Sequence, residues 1–294
     1  MKNLILITSF LIFSFHTFAQ EQQSKFIRIS DFYLQGGTFG ERGRFKTLEE
    51  TQRALPESDL LRQDYDGYQR TPEFYYLNTG TLSLLVGFQF AKSNGEGYRS
   101  NPRLRLGLIY LSGTALHSSY RRQDRYHVDN LTSENTGQVY PVDSVSQRTL
   151  QTRLLSEQIH LEGSLIFSTN PEKRFTLFSG LGITGGASFQ SNAEVRHTQQ
   201  SYTTHPPEND RMHISPFYEG EEYQQEDIRT GTLFGASAYV PLGVNFRFGT
   251  TDDFWKLLNL YYEARPSLQF TSIPNLSMQT TAVIHHNIGL RVSW

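Results

Sequence analysis

A set of ionisable side chains lies on the polar side of segments in which apolar and polar residues alternate: Arg28, Asp31, Arg103, Arg105, His160, Glu162, Arg247, Glu263, Arg265, His285 and Arg291. A carboxylate such as Glu162 or Glu263 could act as a general acid or base. A structural role is the favoured interpretation, because charges in a narrow, dry interior must be paired to offset their desolvation. We expect Glu162 to pair with Arg105, and Glu263 with Arg247.

His117-Ser118-Ser119 resembles the His-x-Ser pair of barrel enzymes that remove acyl chains from lipid A. Glu157 is the candidate for a third member. The alternation places His117 and Ser119 on the inward side and Glu157 on the outward side, so we expect no assembled site and predict no enzymatic activity. The other histidines lack metal-ligand spacing. The glycines of 180–186 lack the helix that a phosphate-binding loop requires, and we predict no metal and no cofactor.

Eight segments alternate with a period of two, the pattern of strands that have one apolar and one polar side. They are 27–34, 82–90, 103–110, 158–167, 175–189, 234–248, 258–270 and 282–294. In the first segment the phase slips by one residue. Arg28 and Asp31 therefore share a side only if a bulge lies near Ser30-Asp31.

The sizes of the side chains indicate which side faces inward. The polar sides are rich in Gly, Ser and Thr, which fit the narrow interior of an eight-stranded barrel, whereas the opposite sides carry bulky Leu, Ile and Phe. The sequence predicts an all-β, antiparallel, up-and-down barrel of eight strands with its apolar side against lipid. Aromatic residues near both ends of the segments are typical of the two interfacial girdles.

The connections predict the orientation. Long connections at 41–71, 118–151 and 190–230 alternate with short turns around Asn94-Gly95, Asn170-Pro171 and Thr251-Asp252-Asp253, and the fourth connection, around Ser272 to Asn275, is short. Bacterial barrels have long extracellular loops and short periplasmic turns. We therefore expect both termini in the periplasm.

The two ends of the chain agree with this interpretation. Residues 1–19 have the charge, apolar run and small residues of a signal peptide, which leaves 20–294 for the barrel. The absence of cysteine excludes an N-terminal lipid anchor and disulfides. The last strand ends in the pattern of an assembly motif, formed by Asn287, Gly289, Val292 and Trp294.

With this motif and alternation, residues 20–294 resemble the small eight-stranded outer-membrane barrels of the OmpA and OmpX type. The signal-peptide ending Phe18-Ala19-Gln20 is similar to that of Bacteroidota. The resemblance implies contact with outer-membrane lipid and insertion by the barrel-assembly machinery.

The predicted function is that of a structural or interaction protein, acting through its long extracellular loops or its barrel wall. The aromatic and acidic residues of 190–230 suit a protein or glycan partner. One alternative is a narrow pore or transporter for small solutes, and another is a lipid A hydrolase. A net charge of −2 gives no indication of nucleic-acid binding.

Overall fold

A computed structural model describes residues 26–40, 45–71, 78–92, 97–132, 137–170, 173–203, 217–249 and 254–294. For residue 78 and residues 217–219 it describes the backbone alone. The expected signal peptide lies outside the described residues. So do the turn positions Asn94-Gly95, Pro171 and Thr251 to Asp253.

Eight antiparallel strands form a closed ring, which confirms the predicted barrel. Their bounds are Ile27–Gly40 (β1), Asn78–Ala91 (β2), Tyr98–Thr132 (β3), Val139–Ser168 (β4), Phe175–Thr203 (β5), Phe217–Arg229, Phe234–Tyr239 and Leu242–Arg247 (β6a, β6b and β6c), Leu258–Ser272 (β7) and Gln279–Ser293 (β8). Each strand pairs with the next along the chain. The ring closes because β8 pairs with both β7 and β1. Within the described chain, no helix is long and apolar enough to cross a membrane.

The first strand contains the bulge that the sequence required. The register of β1 on β2 shifts between Ile29 and Asp31, which restores a single inward side. After the bulge, Tyr33 is buried whereas Leu34 is half exposed on the outside. The inward position of Asp31 follows from this one extra residue.

The outside of the ring is apolar and the inside is polar. Leu161, Leu181 and Ile183 are 69%, 68% and 67% exposed on the outer wall, while Glu162 and Ser164 beside them are buried. Soluble proteins do not expose continuous apolar surface on this scale. The barrel is therefore of the transmembrane class, with its apolar wall facing lipid.

Three strands continue well beyond the ring. β2 pairs with β3 only as far as Ser112, yet β3 runs on to Thr132. Residues 116–132, 139–154 and 192–203 pair with one another and with β6a to form a four-stranded antiparallel sheet. We call these four strands the upper sheet. The end of the barrel from which the upper sheet extends is called the sheet end, and the opposite end is called the turn end.

The expectation of loops at 118–151 and 190–230 is therefore wrong. Their backbone N–H and C=O groups are paired strand to strand over most of their length. Long-range pairing of this kind gives the segments a ladder of hydrogen bonds that no local sequence signal reports. The connection at 273–278 is short, as expected.

The polarity of the strands inverts where the upper sheet begins. A bulge between Thr114 and Leu116 resets the alternation of β3, so that Leu116 faces inward. Leu154 and Val195 on the neighbouring strands face the same way, and all three are buried. Below this level the inside is polar, and above it the inside is apolar.

Residues 45–71 fill the apolar inner side of the upper sheet, and we call them the cap. They contain helix α1 (Leu48–Ala54), a short 3-10 helix (Leu60–Arg62) and a two-residue strand (Gln69–Arg70) that pairs with the edge of β3. Thr47 caps α1 by accepting a hydrogen bond from the Glu50 N–H at 3.2 Å. The core between cap, sheet and barrel rim comprises Phe45, Leu55, Leu60, Leu61, Tyr65, Ala115, Leu116, Tyr120, Leu150, Leu154, Ala193, Val195, Leu233 and Ile273.

Candidate functional site: the barrel lumen and its cap

The centre of the lumen contains a closed cluster of two arginines and two glutamates, which we call the central ion cluster. Arg105 donates from Nη1 to Glu263 Oε2 at 2.7 Å, and its Nη2 lies 3.2 Å from Glu162 Oε1. Arg265 donates from Nη1 to Glu162 Oε2 at 2.9 Å, and from Nε to Glu263. All four side chains are buried, and each charge faces two of the opposite sign.

A second cluster lies nearer the turn end and is centred on Asp31. Arg291 donates from Nε to Asp31 Oδ1 at 2.7 Å, and Arg103 Nη1 lies 3.6 Å from the same oxygen. This turn-end ion cluster joins β1, β3 and β8. Each inward acid expected from the sequence therefore has at least two arginine partners.

Two of the expected lumen arginines lie outside these clusters. Arg28 donates to Gln89 Oε1 at 2.7 Å from Nη2 and lies over the ring of Tyr98. The register places Arg247 opposite Asn259, whereas Gly243 stands opposite Glu263. The expected pair of Glu263 with Arg247 is wrong, because the two residues are four positions apart along the ladder.

Glycine makes room for the charged groups. A Cβ atom at Gly87 would lie 2.8 Å from Asp31 Oδ2, and one at Gly182 would overlap the Tyr239 ring. Tyr239 in turn donates its hydroxyl hydrogen to Glu162 Oε1 at 2.6 Å. The small residues on the polar side thus accommodate the bulky groups that cross the lumen.

Aromatic side chains fill much of the remaining interior. Tyr33 and Tyr261 pack edge to face with ring centroids 5.7 Å apart, beside buried Leu85. The Tyr261 hydroxyl donates to Gln35 Oε1 at 2.8 Å. Both tyrosines lie on the polar sides of their alternating segments, but the sequence alone did not identify them as part of the lumen filling. Their large side chains on an otherwise small-residue face were the available signal.

Small cavities remain on both sides of the central ion cluster. A cavity of about 60 Å³ towards the sheet end is lined by His160, Ser237, Arg265 and His285 among others. Another of about 20 Å³ towards the turn end is lined by Arg103, Arg105 and Arg291. Their volumes accommodate a few water molecules, and the central ion cluster separates them.

The candidate hydrolase residues do not come together. After the bulge in β3, His117 and Ser119 lie on the side of the strand opposite inward-facing Leu116, so their expected inward position is wrong. Both are nevertheless buried, at the edge of β3 where the end of the cap passes. Ser119 Oγ accepts a hydrogen bond from Thr71 Oγ1 at 2.9 Å. Glu157 stands opposite Ser112, five residues along β3 from His117, which at about 3.3 Å per residue is beyond hydrogen-bonding reach.

The cap is attached to the upper sheet by specific polar contacts as well as by its apolar core. Glu226 on β6a accepts hydrogen bonds from Ser58 Oγ at 2.6 Å and from the Leu60 N–H at 2.9 Å. The Tyr68 hydroxyl lies 2.9 Å from His197 Nε2. These contacts join the middle and the end of the cap to different strands.

Burial changes the titration of the groups at this junction. It raises the pKa of Tyr65 to about 12, with Tyr68 and Glu226 acting in the same direction. Burial also lowers the pKa of His197, and the nearby Arg148 lowers it further. Both groups are therefore neutral at pH 7, and Tyr65 remains a hydrogen-bond donor to the Leu60 carbonyl at 2.6 Å.

The terminal motif lies on the closing strand. Trp294 packs against Phe32 of β1 with ring centroids 5.3 Å apart, and its N–H donates to the Ser30 carbonyl at 3.2 Å. Asn287 faces inward beside Gly37, and Gly289 stands opposite Gln35. Val292 faces outward, opposite Phe32. The motif thus forms the seam between the last strand and the first.

Comparisons with known proteins give weak similarity. No protein-family model and no curated protein matches the sequence. Among solved structures, Ail of Yersinia pestis, the attachment invasion locus protein, in complex with the heparin analogue sucrose octasulfate, is 8% identical, with 90% of this chain and 99% of that chain covered and a TM-score of 0.21. OmpT of Vibrio cholerae is 9% identical, with coverages of 93% and 99% and a TM-score of 0.14. At such scores the assignment to the barrel class rests on the strand pairing of this chain.

Proposed function

We propose that this chain is a non-enzymatic outer-membrane barrel of the OmpA and OmpX type that holds the upper sheet and the cap at the cell surface for interaction with a partner. Both termini lie in the periplasm in this proposal. Outer-membrane lipid surrounds the apolar wall, and the barrel-assembly machinery acts on the closing strand. The partner at the surface is a protein or a glycan.

The inversion of polarity is the observation that supports this proposal most strongly. An apolar outer wall with a polar inside suits lipid, whereas a polar outer side with an apolar inside suits water. This chain has the first arrangement in the barrel and the second in the upper sheet. A barrel that ended at the membrane surface would need only the apolar outer wall. The polar outer side of the upper sheet therefore supports a location in the aqueous space outside the membrane.

The filled lumen favours an interaction protein over a pore. The central ion cluster and the packed tyrosines occupy the cross-section between the two small cavities. Purified protein in planar bilayers should therefore give no stable single-channel steps. Stable steps of uniform size would support the alternative, a narrow pore or transporter for small solutes.

The separation of His117 and Ser119 from Glu157 argues against the lipid A hydrolase. Overexpression should leave the mass spectrum of lipid A unchanged. Loss of an acyl chain from lipid A, abolished by Ser119→Ala, would contradict the non-enzymatic assignment.

Deletion of Trp294 should lower the amount of folded barrel in the outer membrane. The deletion removes the aromatic end of the assembly motif and the packing on Phe32. The measurement is the amount of folded barrel in outer-membrane fractions, seen in gel electrophoresis as a band whose mobility changes on heating. Trp255→Ala is a matched control, because Trp255 is the other tryptophan of the chain and is half exposed near the turn end. Equal amounts of folded barrel for the Trp294 deletion and the wild type would contradict the role in assembly assigned to the motif.

A further inference from the structure

The upper sheet has a second side, facing away from the cap, which we call the outer face. Alternation in the strands places amide and hydroxyl side chains there in register. Gln123, Gln147 and Gln200 stand opposite one another on β3, β4 and β5. In the next row, Thr149 and Thr198 stand opposite one another, and Tyr223 of β6a follows them.

These rows form a regular array. Neighbouring strands lie about 4.8 Å apart, and side chains on one face of a strand recur at about twice the 3.3 Å rise per residue. Glutamine amides both donate and accept hydrogen bonds, and threonine hydroxyls do the same. A ligand with many hydroxyl groups on a repeating backbone has the complementary chemistry.

Tyr223 adds an aromatic surface to this array. Its side chain is 62% exposed, and the Arg196 guanidinium lies 4.9 Å from the centroid of its ring. The arginine packs against the ring and restrains it, which lowers the entropy cost of using it in binding. Aromatic rings of this kind stack on the C–H faces of sugar rings, while the phenol hydroxyl contributes a polar end.

The charges of the outer face are nearly balanced among its described residues. Its arginines are Arg121, Arg125, Arg153, Arg196 and Arg229, and its acids are Asp143, Glu194, Glu221 and Asp227. Arg125 Nε lies 2.6 Å from Asp143 Oδ2, and the register sets Arg153 opposite Glu194. A face with so small a net charge exerts little long-range attraction on a strongly charged partner.

We propose that the outer face of the upper sheet binds a neutral polysaccharide, through the glutamine and threonine rows and the ring of Tyr223. This inference rests on the proposed function in one respect: the upper sheet must be exposed at the cell surface to meet such a ligand. It goes beyond that function by assigning the class of ligand and the face that binds it.

The test uses the full chain, purified in detergent and passed over immobilised polysaccharides. The probes are a β-1,3-glucan, a galactomannan and a xyloglucan, with heparin as the anionic comparison. We expect retention on at least one neutral polysaccharide, and we expect Tyr223→Ala to weaken that binding about tenfold. Gln147→Ala should weaken it as well.

Tyr126→Ala provides the matched control. Tyr126 is 63% exposed on the same sheet, but the alternation of β3 places it on the side of the cap. Its replacement should leave binding unchanged. Equal weakening by Tyr126→Ala and Tyr223→Ala, no retention on any neutral probe, or retention on heparin alone would each overturn the inference.

Failure of this inference can be distinguished from failure of the proposed function. Binding by purified protein does not depend on where the sheet lies in the cell, whereas the proposed function does. A sheet that is exposed on intact cells but binds no neutral polysaccharide contradicts the inference alone.

Discussion

Replacement of Glu263 by glutamine should lower the stability of the barrel by about 3–5 kcal/mol, the cost of breaking a buried ion pair by removing one partner. Glu263 is fully buried and is contacted by both Arg105 and Arg265. The substitution keeps the side-chain volume but leaves two buried guanidinium groups to share Glu162. The measurement is urea unfolding of the protein in micelles or vesicles.

Two variants test the physical reason for this loss. Glu221→Gln, on the exposed part of β6a, should leave stability unchanged. The double variant Arg105→Met with Glu263→Gln should be less destabilised than the sum of its parts, because it leaves Arg265 paired with Glu162. Unchanged stability together with altered ion selectivity in Glu263→Gln would mean that the charges are solvated in an open conduit, which contradicts a closed lumen.

Replacement of Leu61 by alanine should release the cap while leaving the barrel folded. Leu61 is almost fully buried in the core between the cap and the upper sheet. Loss of such a leucine typically costs about 2–5 kcal/mol, from lost burial and from the cavity left behind. A cap of this size is held in place by only a small free energy, so a loss of this size should detach it. We therefore expect faster hydrogen exchange across 45–71 and new protease cleavage there.

The control for the cap is Leu131→Ala. Leu131 is 43% exposed near the far end of β3, so its truncation should change neither exchange nor cleavage. The heat-sensitive mobility of the barrel should be the same in both variants, because the ring pairs independently of the cap. Unchanged protection of the cap in Leu61→Ala would contradict the role assigned to this core.

Alternation predicted the barrel and its inward face, because a strand between lipid and lumen has a different solvent on each side. It also predicted the bulge near Ser30-Asp31, since Arg28 and Asp31 could share a side in no other way. The inward acids could be assigned to the lumen for the same reason. Their partners could not, because contacts across the lumen depend on which residues share a level around the closed ring.

The upper sheet could not be predicted from the alternation, because its apolar residues face inward, whereas those of the barrel face outward. Leu150 and Leu154 keep the inward parity of β4, and Leu116 faces inward on β3 only after the bulge. All three lie in or beside long connections, where the sequence predicts loops. The bulge between Thr114 and Leu116 conceals the continuity of β3. The cap was missed for another reason. Its helix has only seven residues, and such a helix is stabilised by packing on distant strands rather than by its own propensity.

The orientation of the chain in the membrane can be measured directly with single cysteines, because the chain contains no cysteine of its own. Gln123→Cys places a thiol on the outer face of the upper sheet, and Lys92→Cys places one at the turn end, where both wild-type residues are exposed. A membrane-impermeant maleimide should label Gln123→Cys on intact cells, and should label Lys92→Cys only after the outer membrane is permeabilised. Labelling of Lys92→Cys on intact cells, or failure to label Gln123→Cys, would contradict the presentation of the upper sheet at the cell surface.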